Sequence, residues 1–367
     1  MRRTARLGFA LALVLLPTGC AASGAAEPAP ASLGAADRAA PDPSTELTTP
    51  PAPTPPSSPA GKPGAVPAQA VAEPTDPADP EVAPSSEGGA EESMVWIPAG
   101  DHDVPGTLAL PPASDGLPVP VVLMLHGDLS SRDENGGLFA RQAAILADHG
   151  IASLRIDFAG SGDSPEPDLA LDYPNMVDDA AASLDYLRAD DRFDATRVAV
   201  LGLSRGGAIA ATLAGTRPGV AALVEWSGAV YNGYDEEPGL HDQARADGYV
   251  EIGPDPGGFK LSLSWFDTIE QSRPLTDVQD YTGPVLAITG SADQVVPPET
   301  SDVLVQSVAS TDTTRYTIDG ADHEYQATSD DQTHADELFG LTEAWLTSRL
   351  DVGASTSPST PDGPPTP

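Results

Sequence analysis

The sequence of 367 residues predicts an α/β fold, a doubly wound and mostly parallel β-sheet with an inserted cap. Short apolar runs alternate with helical stretches through residues 94–350, and such alternation gives right-handed crossovers with helices on both sheet faces. A Gly-x-Ser-x-Gly turn at residues 202–206 joins an apolar run to an Ala-rich helix. Residues 229–281 contain no clear strand of the main sheet, which is too long for an ordinary connection and therefore predicts the cap.

The individual elements follow from their hydrophobic periodicity and their flanking turn residues. Six apolar runs predict strands at residues 119–125, 151–156, 197–201, 221–226, 285–289 and 314–318. Five stretches predict helices at residues 138–149, 176–189, 205–216, 299–307 and 333–350. An antiparallel edge hairpin is expected from residues 94–98 and 103–111. Ligands of such a sheet bind beyond the carboxyl ends of its strands, so reactive residues are sought there.

The predicted cap is rich in aromatic residues between Trp226 and Tyr281. This enrichment is consistent with an apolar roof over a substrate pocket. For any single ring, a place in the small core of the cap itself is an equally good expectation.

The segments outside residues 94–350 predict an exported protein. Residues 1–20 have the features of a signal peptide, because three arginines precede an apolar run that is too short to span a bilayer. Cys20 follows this run and resembles the cysteine of a bacterial lipobox, which predicts a lipid-anchored extracellular protein, with plain secretion as the alternative. Residues 21–93, a Pro/Ala-rich linker, and residues 351–367 are expected to be disordered.

The charge and the cysteine content restrict the partners. Asp and Glu total 55 against 18 Lys and Arg, for a net charge of −37, so nucleic acid and anionic lipid surfaces are poor partners. The membrane is expected to be reached only through the N-terminal lipid anchor. With one cysteine in the chain no internal disulfide can form, so packing must stabilise the fold.

The turn at residues 202–206 predicts a nucleophile elbow centred on Ser204. Gly202 and Gly206 remove side chains that would collide with the neighbouring strand and helix at so sharp a turn. The turn presents the Ser204 hydroxyl at the N-terminus of the following helix, where the helix dipole favours developing negative charge.

A serine hydroxyl is a weak nucleophile at neutral pH, so a base must take its proton and a carboxylate must orient that base. Asp293 lies just past one predicted strand, and His323 lies on the loop after the next. Asp319 and Asp322 flank His323 and are rival acids, although near neighbours in sequence rarely reach the histidine ring in the required orientation. The remaining loop and helix histidines fit the role of base less well: His102, His149, His241 and His334.

The tetrahedral intermediate of acyl transfer needs two donors for its oxyanion. The backbone amides of Asp128, after the first central strand, and of Arg205, after the nucleophile, are the candidates. The Asp128 carboxylate must turn away from the developing anion, and we expect it to pair with Arg205. His126 is expected to anchor its loop, since it lies in a His-Gly motif before the elbow.

Six stretches together resemble α/β hydrolases of the serine esterase and S33-peptidase-like group, and among these cinnamoyl and feruloyl esterases most. They are residues 104–111, 125–127, 146–164, 202–206, 290–293 and 320–323. The resemblance implies an α/β-hydrolase fold and a triad of Ser204, Asp293 and His323, whose order along the chain is that of the family. Asp128 replaces the apolar residue usual after His-Gly, and Arg205 replaces the commoner Met or Gln.

The sequence therefore predicts a serine hydrolase that cleaves carboxylic esters, small or polymer-linked, through an acyl-enzyme. A peptidase or amidase, a thioesterase or a polyester hydrolase could use the same triad, because the fold does not set the substrate. A catalytically silent binding protein and an Asp-nucleophile dehalogenase are the other classes, and Ser204 argues against the second. No metal or organic cofactor is expected.

Overall fold

The structure, a computed structural model, describes residues 89–112, 118–231, 238–253 and 258–352. The predicted leader with Cys20, the linker up to residue 88 and the tail from residue 353 lie outside the described residues. Glu91 to Ser93, expected to be linker, belong to the first strand instead. Glu91 pairs with Leu110 in an antiparallel hairpin, so the length of the partner strand sets where this strand begins.

The described residues form ten strands, eight of them in one sheet. The strands are β1 (Glu91–Ala99), β2 (His102–Leu110), β3 (Val119–Leu125), β4 (Ala152–Ile156), β5 (Phe193–Leu203), β6 (Ala222–Trp226), β7 (Tyr249–Ile252), β8 (Phe259–Ser262), β9 (Val285–Gly290) and β10 (Thr313–Ile318). The main sheet has the order β1-β2-β4-β3-β5-β6-β9-β10. The β1–β2 and β2–β4 pairs are antiparallel and the others parallel, so the predicted fold class and edge hairpin are confirmed.

Helices cover both faces of this sheet. They are α1 (Leu138–Asp148), α2 (Tyr173–Ala189), α3 (Arg205–Thr216), α4 (Pro238–Asp247), α5 (Leu263–Gln271), α6 (Pro274–Asp277), α7 (Glu299–Ser307) and α8 (Thr333–Arg349). Successive side chains of a strand point to opposite faces. Accordingly Leu123 of β3 packs into the core beneath α2 and α3, and Met124 packs into the core beneath α1 and α8. No helix among the described residues is long and apolar enough to cross a membrane.

Helix α2 begins three residues before its predicted start at Met176. The Asp172 side chain accepts a hydrogen bond from the Asn175 amide at 3.1 Å and so caps the first turn, and Pro174 occupies a position in that turn. Both are established helix-start signals, which the apolar periodicity of the later turns had obscured.

The cap interval contains α4, the β7–β8 hairpin, α5 and α6. The hairpin pairs only with itself, so it is separate from the main sheet. Neither the hairpin nor the three cap helices were predicted. The aromatic rings of the cap make contacts both within the cap and with the main domain. Phe266 stacks on His241 within the cap at 5.1 Å between ring centroids, whereas the Trp265 indole N–H reaches Asp128 of the main domain at 3.3 Å.

Candidate active site

Ser204 stands between the end of β5 and the start of α3 in a strained backbone conformation, with φ 54° and ψ −120°. A non-glycine residue with positive φ persists only where its surroundings hold it. Here the Ser204 amide donates to the Trp226 carbonyl at 3.0 Å, and the Ser204 carbonyl accepts from the amides of Gly207 and Ala229 at 3.0 and 2.9 Å. The bonds to Trp226 and Ala229 fix the turn to β6 and to its following loop, and the bond from Gly207 closes the turn onto α3.

The two predicted elbow glycines have a steric reason to be glycine. A Cβ atom on Gly202 would lie 2.1 Å from the Gly206 carbonyl oxygen, and one on Gly206 would lie 1.9 Å from the Leu125 carbonyl oxygen. Both obstacles are backbone atoms, which cannot move aside as a flexible side chain can. The Ser204 side chain makes no capping bond to its own helix, so its hydroxyl is not used structurally there.

The structure brings the predicted acid and base together. Asp293 follows β9, His323 follows β10, and the Asp293 Oδ2 and His323 Nδ1 atoms are 2.8 Å apart. The other oxygen of Asp293, Oδ1, accepts the amides of Val295 and Val296, each at 2.9 Å. The Asp293 side chain is fully buried and the His323 side chain is 13% exposed, so the pair is shielded but the ring remains accessible.

The electrostatics of this pair favour a charged Asp293 and a basic His323. Burial acts to raise the pKa of Asp293, but the hydrogen bond and charge of His323 and the two valine amides outweigh it, so this pKa is lowered. Burial acts to lower the pKa of His323, yet Asp293, Glu324 and Glu134 together raise it. Because an ionised carboxylate only accepts, Nδ1 carries the hydrogen and Nε2 is left as the basic nitrogen.

The rival acids are engaged elsewhere. Asp319 accepts a hydrogen bond from the Ser291 hydroxyl at 3.0 Å. Asp322 accepts the amides of the turn that follows His323, from Glu324 at 3.1 Å and from Gln326 at 2.9 Å. Their side chains therefore shape the two loops, and the His323 ring bonds to Asp293 instead.

The other histidines of the described residues are also engaged in structural contacts. His126 is buried, its Nε2 accepts the Phe158 amide at 3.2 Å and its Nδ1 bonds to the Gly127 carbonyl at 2.7 Å, so it anchors the loop as predicted. The remainder bond to neighbouring side chains or carbonyls: His102, His149, His241 and His334. Within the described ranges no three His, Cys, Asp or Glu side chains gather in a way that could hold a metal ion.

The loop after β3 runs beside Ser204, the predicted nucleophile. A Cβ atom on Gly127 would lie 3.2 Å from the Ser204 Cβ atom, so a larger residue here would crowd the serine. The next residue is Asp128, whose amide makes no hydrogen bond within the described part of the chain, and the same holds for the Arg205 amide at the first position of α3. Both predicted oxyanion donors are therefore uncommitted.

The side chains of Asp128 and Arg205 form the predicted ion pair, with 3.1 Å between Arg205 Nε and Asp128 Oδ2. The other oxygen of Asp128, Oδ1, accepts the Trp265 indole N–H from α5 of the cap at 3.3 Å. The carboxylate is thereby held between the guanidinium and the cap.

Glu134 is a site residue that sequence reasoning missed. One oxygen of its buried carboxylate accepts the Gly127 amide and the other accepts the Ser130 hydroxyl at 2.7 Å, so it holds the loop that carries Asp128. The neighbouring Asn135 side chain donates to Oε1 of Glu324, the residue after His323, at 2.5 Å. Glu134 has φ 59°, and no motif in the sequence signals that backbone conformation.

The fold and this arrangement define an α/β-hydrolase-fold protein. Residues 117–244 match the model of the family described as serine aminopeptidase, S33, so the resemblance predicted from the motifs is confirmed.

Comparisons with individual proteins agree with this class. The chain is 33% identical to the putative esterase NocK of Nocardia uniformis subsp. tsuyamanensis over 155 residues, and this match covers 41% of each chain. It is 26% identical over 198 residues to the uncharacterized protein Rv2307c of Mycobacterium tuberculosis, covering 54% of this chain and 61% of that one. The chain thus spans less than two thirds of the length of these curated relatives. Est1E from Butyrivibrio proteoclasticus, solved with bound ferulic acid, superposes with a TM-score of 0.59 at 20% identity, over 70% of this chain and 99% of Est1E.

Proposed function

We propose that the protein is a serine hydrolase that cleaves carboxylic esters through an acyl-enzyme. The observation that carries the proposal is the 2.8 Å contact of a buried Asp293 with His323. Both residues follow the carboxyl ends of their strands, as Ser204 does, so the three lie on the same side of the sheet. A carboxylate, an imidazole and a serine in these positions are the three groups that activate a hydroxyl nucleophile.

In the proposed reaction Ser204 Oγ attacks the ester carbonyl carbon while His323 Nε2 takes the hydroxyl proton. The carbonyl oxygen becomes an oxyanion, which accepts hydrogen bonds from the amides of Asp128 and Arg205. Collapse of this intermediate breaks the bond to the leaving alcohol, and the alkoxide receives the proton from His323. Water then attacks the acyl-enzyme with His323 again as the base, and release of the acid restores the Ser204 hydroxyl.

The ester class is supported by the comparisons, since one relative is named a putative esterase and a neighbour of the same fold binds ferulic acid. The matching family is described as a serine aminopeptidase, which favours amide hydrolysis as the second candidate. Both reactions proceed through the same acyl-enzyme, so the leaving group that the site accepts must be measured.

The test compares p-nitrophenyl esters with aminoacyl p-nitroanilides for the full chain and for Ser204→Ala. We expect ester turnover that disappears in this variant and persists in Ser307→Ala, the same change at the last residue of helix α7. Labelling by a fluorophosphonate should follow the same pattern. Turnover of anilides in preference to esters would move the protein to the amidase class, and ester turnover that survives Ser204→Ala would refute the proposed nucleophile.

We also propose that the protein is extracellular and lipid-anchored at Cys20. The proposal is supported by the leader pattern before this cysteine and by its being the only cysteine of the chain. Wild type produced in a bacterial host should partition with the membrane and into detergent, and Cys20→Ala should not. Aqueous partitioning of the wild type, with the leader removed, would establish plain secretion instead.

A further inference from the structure

The Arg205 side chain spans the two loops that flank the nucleophile. β5, which ends at the elbow, lies between β3 and β6 in the sheet. Arg205 Nε donates to Asp128 on the loop after β3 at 3.1 Å, and Arg205 Nη1 donates to the Ala229 carbonyl on the loop after β6 at 3.4 Å. The guanidinium group therefore bridges the carboxyl-end loops on both sides of Ser204.

The cap covers this bridge. The Arg205 Cζ atom lies 6.0 Å from the centroid of the Trp265 ring, and the same indole donates to Asp128. Trp265 is 1% exposed, and the Arg205 side chain is 5% exposed. We call Arg205, Asp128 and Trp265 the Arg205 cluster; it joins the nucleophile helix, the oxyanion loop and the cap.

One donor group of this cluster is unused. Within the residues that the structure describes, Arg205 Nη2 has no hydrogen-bond partner, whereas Nε and Nη1 each have one. Nη2 keeps some solvent-accessible surface, so it can donate to water or to an acceptor oxygen of a bound molecule. Asp128 already balances its charge, so a neutral acceptor oxygen suits the free N–H group better than a second carboxylate, which Asp128 would repel.

Position limits where that acceptor can lie. Arg205 directly follows Ser204, and adjacent Cα atoms are about 3.8 Å apart, so its side chain starts beside the proposed nucleophile. Resting on the proposed esterase function, we propose that Arg205 determines acyl specificity: the enzyme prefers esters whose acyl chain carries a neutral acceptor oxygen near the carbonyl, such as an ether, ketone or hydroxyl oxygen. Acids with an unsubstituted alkyl chain of the same length are the disfavoured class.

The test compares p-nitrophenyl methoxyacetate with p-nitrophenyl butanoate, whose acyl chains have the same number of heavy atoms and differ by an ether oxygen in place of a methylene. The kcat/KM for the methoxyacetate is divided by the kcat/KM for the butanoate, once for the wild type and once for Arg205→Met. The measured quantity is the quotient of the wild-type ratio over the variant ratio. The higher intrinsic reactivity of the methoxyacetate cancels in this quotient. We expect a quotient of about 10 or more, the effect of one hydrogen bond to a charged group.

Two variants guard against a merely structural effect. Asp128→Asn with Arg205→Met removes both charges together, so no unpaired carboxylate remains, and the quotient should stay near that of Arg205→Met. Arg217→Met, the same change at the exposed end of α3, should leave the wild-type ratio unchanged. Fluorophosphonate labelling shows that each variant keeps a competent Ser204.

The outcomes separate this inference from the proposed function. Loss of activity on both esters by the same factor in Arg205→Met gives a quotient of 1 and would overturn the specificity role while leaving the esterase intact. A larger loss on the butanoate would overturn it as well. A wild type that hydrolyses neither ester would instead remove the esterase proposal, and the specificity inference with it.

Discussion

Replacement of Asp293 by Asn probes the proposed triad most directly, because the hydrogen bonds around this residue dictate how the amide must orient. Asp293 Oδ1 accepts two backbone amides at 2.9 Å each, and Oδ2 faces His323 Nδ1. An asparagine has one acceptor oxygen, which the two amides will retain, so its NH2 group must face the ring. The ring nitrogen that meets it then has to be unprotonated, which places the hydrogen on Nε2.

A base with its hydrogen on Nε2 cannot take the proton of Ser204. We expect kcat/KM for p-nitrophenyl acetate to fall about 10³- to 10⁴-fold, the size of this effect in a serine protease triad. That factor corresponds to about 4 to 5.5 kcal/mol of transition-state stabilisation. Since both backbone amides keep their acceptor, the cost in stability should be only about 1 kcal/mol, which is a Tm shift of about 2–4 °C.

Steady-state kinetics and thermal unfolding, measured on the same preparations, check both numbers. Asp319→Asn and Asp322→Asn are matched controls, because they make the same change on either side of the base without touching its ring. We expect each control to retain activity within about threefold, as surface substitutions usually have small effects. Retention of more than a tenth of the activity in Asp293→Asn, or a large loss in either control, would refute the assignment of the acid.

Three further predictions concern residues in and around the candidate site. Glu324→Gln removes a charge that raises the pKa of His323, the proposed base, so the acid limb of the kcat/KM profile should move to lower pH. The same change at exposed Glu337 should leave the limb in place. Gly202→Ala forces a Cβ atom to 2.1 Å from a backbone oxygen and should lower the free energy of unfolding by about 3 kcal/mol, while Gly340→Ala, with open space around it, should not. Burial raises the pKa of Glu225 to about 8, so between the ordinary value of 4.5 and about 8 the folded state keeps a proton that the unfolded state has lost. The free energy of unfolding should therefore fall as the pH rises through this range. Glu225→Gln should remove this pH dependence, as measured by thermal unfolding.

The sequence predicted the elements whose signal is local. Helix α3 begins and ends where its composition indicated, because the elbow glycines fix its start and the Ala-rich run sustains it. β5 extends back to Phe193, further than its apolar run indicated. The first part of the strand is partly exposed and carries polar residues, so the apolar pattern did not include it. The cap hairpin escaped prediction for a related reason: β7 and β8 are four residues each and pair only with one another, so no long period marks them.

Candidate site residues could be predicted where a motif carried them, as with Ser204 and the strand-end loops of Asp293 and His323. Glu134 could not, because its role depends on a backbone turn that brings its carboxylate back to the Gly127 amide. Acidic residues are abundant in this chain, at 55 of 367, so one more glutamate in a loop carries no signal by itself. A contact of this kind is defined by tertiary geometry alone.

The two departures from the family pattern, Asp128 and Arg205, are best understood as one feature. A buried arginine without a partner would destabilise the fold, because its charge would be removed from water without compensation. An aspartate facing the oxyanion would oppose the developing negative charge. Paired at 3.1 Å, each removes the other's penalty, and the Trp265 N–H holds the carboxylate on the side of the cap. Either substitution alone would be unfavourable, so the pair places a fixed positive group beside the nucleophile without placing a net charge there. A surface formed by such an ion pair is neutral but strongly polar. In the proposed esterase it would favour hydrolysis of esters whose acyl group can hydrogen-bond to it over esters whose acyl group is purely alkyl.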